Sequence, residues 1–163
     1  MVAIRPVDAG ALGQALDVYR ECEDFLALGP EPKASAEMVL NDMLLSSKEG
    51  GVFCGAFDDE GRMLAVVNYQ HSGYGGSPDA AFISLLMVRQ SQRGKGIGRA
   101  ILQQVEDIIL QGAAIRHILT AVQENNPAAL RFWNRMGYST LSGPHAQPDG
   151  TTVFYMEKRV RDR

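Results

Sequence analysis

Cysteine and histidine are scarce in this sequence, and each shortage removes a class of protein. Two cysteines occur, Cys22 and Cys54; they make no disulfide framework and no Cys-x-x-Cys pair suited to zinc. The three histidines, His71, His117 and His145, are scattered, so no metal site is expected. No apolar run approaches the roughly 20 residues needed to cross a bilayer. The opening Met1-Val2-Ala3-Ile4-Arg5-Pro6 has no apolar stretch following a basic start, as a secretory signal would. The expectation is therefore a cytoplasmic protein without membrane partners. A positive charge balance is also lacking: sixteen Lys and Arg stand against nineteen Asp and Glu, a net charge of -3. General nucleic-acid binding rests on phosphate neutralisation and is disfavoured.

What is present suits one globular domain. The 163 residues are 45% hydrophobic and 21% charged, without repeats, low-complexity tracts or a dividing linker. Residues 2–5 read as a first strand closed by Pro6. Leu12, Leu16, Tyr19 and Leu26 recur at helical spacing over residues 9–26, and the Gly29-Pro30-Glu31-Pro32 cluster stops that helix. Ser35 caps a second helix carrying Met38, Val39, Asp42, Met43 and Leu45, which ends near Gly50. Residues 52–57 and 64–69 form a hairpin around the polar turn 58–62. After a loose loop, 73–78, comes the almost continuously apolar run 80–88, expected as a central strand buried on both faces. A helix with Ile97, Ile101, Val105, Ile108 and Ile109 on one side follows, ending at Gly112. Residues 118–122 are a further strand, and Asn125-Asn126-Pro127 opens a short helix that ends at Gly137. Two strands, 138–141 and 152–157, flank a loop over 143–150. The order β-α-α-β-β-β-α-β-α-β-β implies an α/β (α+β) single domain over residues 1–163 with a mixed sheet. The basic run 158–163 reads as a solvated tail.

The stretch Arg93-Gly94-Lys95-Gly96-Ile97-Gly98-Arg99 lies between the buried strand and an amphipathic helix. Glycines let the backbone approach a ligand, and a helix N-terminus offers unpaired amides with a partial positive charge. Together they suit a phosphate or pyrophosphate, with Arg93, Lys95 and Arg99 as side-chain cations. The alternative is a purely structural glycine turn. Nucleotide readings fail on spacing. Lys95 is followed by Gly96 rather than the Ser or Thr of a P-loop. A dinucleotide fingerprint would place its third glycine at Arg99 and an acidic residue near Arg116 and His117.

What matches is Arg93-x-x-Gly96-x-Gly98, preceded by Leu86-Met87-Val88. It resembles the coenzyme A signature of the GNAT superfamily of N-acetyltransferases. Downstream, Asn126-x-x-Ala129-x-x-x-Trp133-x-x-x-Gly137-Tyr138 is similar to that family's second motif. The resemblance extends over almost the whole chain and is most specific in residues 82–138. It implies a splayed, mostly antiparallel sheet flanked by helices, with acetyl-coenzyme A as co-substrate in a cleft between strands 80–88 and 118–122. It further implies that the amides of Gly94, Lys95, Gly96, Ile97, Gly98 and Arg99 take the pyrophosphate, and that the main chain of Leu86, Met87 and Val88 takes the pantetheine arm. An N–H near Leu86 would polarise the thioester carbonyl, and Asn126 would contact the arm or shape its channel. An unidentified primary amine would be the acceptor, and the chain a monomer or homodimer.

Two positions depart from the pattern. Trp133 stands where many relatives have a tyrosine able to protonate the leaving thiolate; indole cannot, so Trp133 is expected to pack the last helix beside the cofactor arm. Ser84 stands where some relatives place a strand glutamate as base, which leaves Tyr69, His71 and Asp79 as candidates, with His71 read alternatively as an exposed loop residue. These departures keep open a coenzyme A-binding module without turnover. Phe25, Leu28 and Met38 around 29–32 are expected to line the acceptor pocket or, equally, the core. Both cysteines read as small buried hydrophobes.

Overall fold

A computed structural model describes residues 1–112 and 114–160. Seven strands form one sheet in the order β1-β2-β3-β4-β5-β7-β6. They are β1 (Ala3–Pro6), β2 (Val52–Phe57), β3 (Met63–Gln70), β4 (Ala80–Val88), β5 (His117–Gln123), β6 (Ser139–Ala146) and β7 (Thr152–Arg159). Only β4 and β5 run parallel; every other neighbouring pair is antiparallel. The helices are α1 (Leu12–Glu21), α2 (Glu23–Leu26), α3 (Ala36–Lys48), α4 (Ile97–Gly112) and α5 (Pro127–Arg135).

Each sheet face has its own core. Ile101, Leu102, Val105 and Ile109 of α4 pack with Trp133 of α5 against Ile83, Ile118 and Met156. On the other face, Ala15, Val18, Tyr19 and Cys22 of α1 and Val39 of α3 cover Phe53, Met63, Val66 and Met87, that is β2, β3 and the end of β4. The rest of that face, on β5 and β7, has no helix among these buried partners. Behind the α4 core, the Tyr138 hydroxyl donates to Glu106 Oε2 at 2.7 Å, and Lys158 pairs with Glu106 Oε1 at 3.1 Å. Among the described residues no helix is long and apolar enough to cross a membrane, and no group of acidic, histidine or cysteine side chains could hold a metal ion.

Four details differ from the sequence reading. The helix expected over 9–26 is a 3-10 turn, Ala9–Ala11, followed by α1 and α2, with the break at Cys22. There the chain turns so that Glu21 and Asp24 both reach the end of β4, at Arg89 and Arg93. The strand expected over 138–141 is the longer β6, which takes in much of the expected loop. Gly143 and Pro144 are accommodated because β6 is an edge strand with register shifts. Lys158 and Arg159 belong to β7 rather than to a solvated tail, while residues 161–163 lie outside the described residues. Finally, β4 is not buried along its whole length: beyond Ile83 only Met87 is, for a reason that defines the site.

Candidate active site

β4 pairs with β5 only from Ala80↔His117 to Ile83↔Thr120. Beyond that point the two strands separate, and β4 keeps β3 alone as a neighbour. At the divergence β3 and β4 change register between Asn68 and Tyr69, and Ser84 falls opposite no partner. Its hydroxyl donates back to Asn68 O at 3.2 Å. An antiparallel ladder turns alternate residues toward and away from its partner. Arg89 N–H bonds Leu64 O at 2.9 Å, and stepping back by two places Met87 and Leu85 toward β3 and Leu86 and Val88 away from it. The Leu86 and Val88 main-chain groups therefore face the opening. Val88 O already accepts from Arg93 Nε (3.0 Å) and Cys22 Sγ (3.3 Å).

The opening holds a cleft of about 520 Å³ lined by Leu86, Met87, Val88, Gly94, Gly96, Ile97, Gly98, Arg99, Asn126 and Trp133, among others. The sequence reading assigned all of these to cofactor binding, and the fold brings them together. Lys95 stands just outside, with its amine 3.5 Å from Gln92 Oε1. The first bond of α4 that reaches back out of the helix runs from Ala100 N to Gly96 O at 3.1 Å. Among the described residues, the six amides of residues 94–99 have no carbonyl or side-chain acceptor. Gly94 and Gly96 have φ of 76° and 77°, a region that side chains with a Cβ rarely occupy. Gly98 serves a different need. A Cβ there would stand 3.4 Å from the Phe132 ring and 3.7 Å from Val88 Cγ2, so glycine keeps the cleft open between α4, α5 and β4.

Several side chains are committed differently from the sequence expectation. The Arg93 guanidinium is held bidentately by Asp24, at 2.6 and 3.1 Å, so what Arg93 brings to the cleft is a neutralised pair. Arg99, exposed at the rim, and Lys95, just outside it, are, among the described residues, the cations of this stretch that no carboxylate pairs. Asn126 spends its Oδ1 as the N-cap of α5, accepting from Ala129 N at 3.1 Å. Trp133 is buried and packs edge-on against Tyr138 and Phe132 while touching the cleft. Of the proposed bases, Tyr69 is buried, which pushes its phenol pKa up. His71 is exposed, with its ring beside Ser72 Oγ at 3.3 Å. Asp79 faces His117 at 4.0 Å. Phe25 and Leu28 do line the cleft, whereas Met38 packs into the α1–α3 core. Burial raises both thiols, that of Cys54 to about 11, so neither is a ready nucleophile.

Sequence reasoning missed two groups. Phe132 faces Gly98 across the cleft; the signal was an aromatic pair, Phe132-Trp133, on a short helix, where only one ring can face the core. A polar clasp at the end of β4 was also missed. Arg89 donates to Glu21 Oε2 at 2.8 Å and to Met63 O at 2.6 Å, and Ser91 donates to Glu21 Oε1 through its hydroxyl at 2.7 Å and its amide at 3.1 Å. The Ser91 hydrogen bond, followed by Arg89, holds the Glu21 carboxyl down at about 2. No periodicity links residues almost 70 positions apart.

Residues 15–138 match the model of the acetyltransferase (GNAT) family. The chain belongs to that family of acyltransferases. A curated relative, an uncharacterized N-acetyltransferase of Methanocaldococcus jannaschii, is 35% identical over 75 residues, which span 45% of this chain and 48% of that protein. The chain thus spans about half the length of that relative. Among solved structures, an acetyltransferase from Thermus thermophilus superposes with a TM-score of 0.81 at 20% identity, covering 98% of this chain and 97% of that one. The PaiA N-acetyltransferase of Thermoplasma acidophilum, solved in complex with coenzyme A, gives 0.69 at 19% identity over 98% and 99%. These similarities establish the fold and the family.

Proposed function

We propose that this protein is an acetyl-coenzyme A-dependent N-acetyltransferase that passes the acetyl group directly to a primary amine. The observation that carries the reading is the meeting, at one cleft, of the unbonded amides of residues 94–99 with a strand edge that β5 leaves unpaired and on which, among the described residues, Val88 O alone is engaged by side chains. An anion at the helix start and an extended amide-bearing arm along β4 would satisfy both sets of groups. Coenzyme A has a pyrophosphate followed by such an arm, so the residues present fit it, and family membership agrees. When bound as the acetyl thioester it supplies an activated acetyl group.

The chain's own residues then position and polarise. Amides 94–99 and Arg99 receive the phosphates; Leu86 and Val88 main-chain groups receive the arm; Phe132 and Trp133 wall it in. Leu86 N–H sits where it would donate to the thioester oxygen as charge develops there. The amine nitrogen forms the new C–N bond, the C–S bond breaks, and the thiolate accepts the proton that the nitrogen loses, directly or through water. Raised thiol pKa values at Cys22 and Cys54 argue against an acetyl-cysteine stage.

One observation favours a second reading, a coenzyme A-binding module without turnover. Asp24 is the acidic side chain lining the cleft, and Arg93 already holds it. A single pair of measurements separates the readings. Acetyl-coenzyme A at a hundredfold excess over Kd should stabilise the protein by about 2.7 kcal/mol, while ATP and NAD at equal concentration leave it unchanged, and thiol release should appear with an amine panel. Stabilisation without thiol release supports the binding module; a flat titration of folded protein contradicts both.

A further inference from the structure

The sheet face left uncovered by α1 and α3 runs into the opening. Strand register sets Phe82 beside Leu119, Leu119 beside Glu157, Ala121 beside Tyr155 and Gln123 beside Val153. Directly paired residues share a face, and the alternating set, Ile118, Val122 and Met156, lies in the α4–α5 core. Phe82, Leu119, Ala121 and Tyr155 thus form a half-buried surface with no helix over it. Tyr74 lies flat on Phe82, with ring centroids 4.2 Å apart and planes 13° apart. It is presented by a loop whose Gly73, Gly75 and Gly76 all have positive φ. Across Ala121, Tyr155 supplies a third ring, itself flanked by His145 at 5.6 Å. A small alanine framed by rings leaves a slot for something flat.

The slot leads to the reacting position. β5 leaves β4 after Thr120, so Ala121 and Gln123 border the opening across from residues 84–88. Gln123 packs beneath the 29–32 loop, where a Cβ on Gly29 would stand 3.7 Å from its Nε2. Its Oε1 is buried with no hydrogen-bond partner, a cost that an incoming N–H would remove. Glu49 acts on the Tyr74 phenol from the outer edge of this face, and the two carboxylates beside the strands are already engaged. Glu157 faces Arg159 at 3.4 Å and His117 at 3.5 Å, and Asp79 faces His117 at 4.0 Å. A polycation would find little uncommitted negative charge here, whereas rings stack readily on rings.

We propose that this face is the acceptor subsite and that the acceptor is a primary amine joined through a short alkyl linker to an aromatic ring. The ring lies in the slot between Tyr74–Phe82 and Tyr155. Two residues of strand, about 7 Å, separate the centre of the slot from Gln123, and half the ring, the linker and a hydrogen bond of about 3 Å together span them once the Gln123 carboxamide turns its buried Oε1 toward the amine. The inference rests on the N-acetyltransferase reading above and adds the substrate class to it.

The test uses the full chain with acetyl-coenzyme A and three amines: 2-phenylethylamine, n-butylamine and spermidine. Thiol release should be at least tenfold more efficient with 2-phenylethylamine than with the other two. Tyr74→Leu, alone and combined with Phe82→Leu, should raise the KM for 2-phenylethylamine about tenfold, hold kcat within about threefold and leave n-butylamine unaffected. Calorimetry of 2-phenylethylamine binding to the coenzyme A-saturated protein reads the same slot without turnover and should weaken in the same variants. Preferred transfer to n-butylamine or spermidine would overturn the substrate class and leave the N-acetyltransferase reading standing. Folded Tyr74→Leu protein with an unchanged KM would also overturn it. Acetyl-coenzyme A binding with no transfer to any amine would overturn both.

Discussion

Phe82 and Ile83 of β4 have β3 on one side and β5 on the other, Ala80 and Ala81 pair with β5, and residues 85–88 have β3 alone. Both halves are largely apolar in sequence, yet Ala81 and Ile83 are fully buried, whereas beyond them Met87 is buried against α1 and Leu85, Leu86 and Val88 only partly. The first half is held by strands. The second is held at its far end by side chains, through the Glu21–Arg89–Ser91 clasp and the Asp24–Arg93 pair. An apolar run can therefore mean a strand buried by protein or a strand awaiting a ligand. The difference lies in where its parallel neighbour stops.

Substitutions can turn that contrast into numbers. The largest effect is expected from Leu86→Pro. Proline deletes an amide that faces the opening, so the ladder to β3 survives, and loss of one donor to a developing oxyanion costs on the order of 10²–10³-fold in kcat. Stopped assays of thiol release on protein with parental circular dichroism would show it; near-parental kcat would remove Leu86 N–H from the mechanism. In the closed half, Ile83→Ala should cost about 2–5 kcal/mol of stability, because Ile83 is 0% exposed in the α4 core. Leu86→Ala, beside the cleft, should cost less in stability and more in coenzyme A affinity. Chemical denaturation and calorimetry on the pair would expose any failure of this exchange.

The smallest effect concerns the clasp and depends on pH. The Glu21 carboxyl is held below its ordinary value of 4.5, at about 2. A lowered carboxylate stabilises the fold fully above its unfolded pKa and loses that contribution as pH falls through the folded one. Parent protein should therefore exceed Glu21→Gln by about 1 kcal/mol at neutral pH, the upper end for a partly exposed pair. The gap should close between about 4.5 and about 2. A gap that is constant through that window would mean that Glu21 acts by packing rather than by charge.

Much of this was legible in the sequence, because it depends on local chemistry. Glycines at 94, 96 and 98 marked the amide loop, Asn126-Pro127 marked the start of α5, and the turn at 58–62 marked the hairpin. What escaped was set by distant partners. The splay itself was expected only through the family resemblance, and its onset after Thr120 shows only in the strand pairing; the fate of Arg93 depends on Asp24, a residue 69 positions away. The roles of the glycines also separate only in three dimensions. Gly94 and Gly96 are favoured by a positive φ, whereas at Gly98 a Cβ would fit in contact with the Phe132 ring but take up space in the cleft.

The central claim is that the Gly94-to-Arg99 loop and the open half of β4 form one coenzyme A site. Calorimetric titration of coenzyme A into parent and Gly98→Asp protein, after circular dichroism shows both folded, tests it most directly. A Cβ at Gly98 points at Phe132 and Val88 inside the cleft, and a carboxylate there repels phosphate at a cost on the order of 2–4 kcal/mol in a partly desolvated site. The account expects the parent to bind and the variant to bind at least tenfold more weakly. A folded Gly98→Asp protein that binds coenzyme A as the parent does would contradict it.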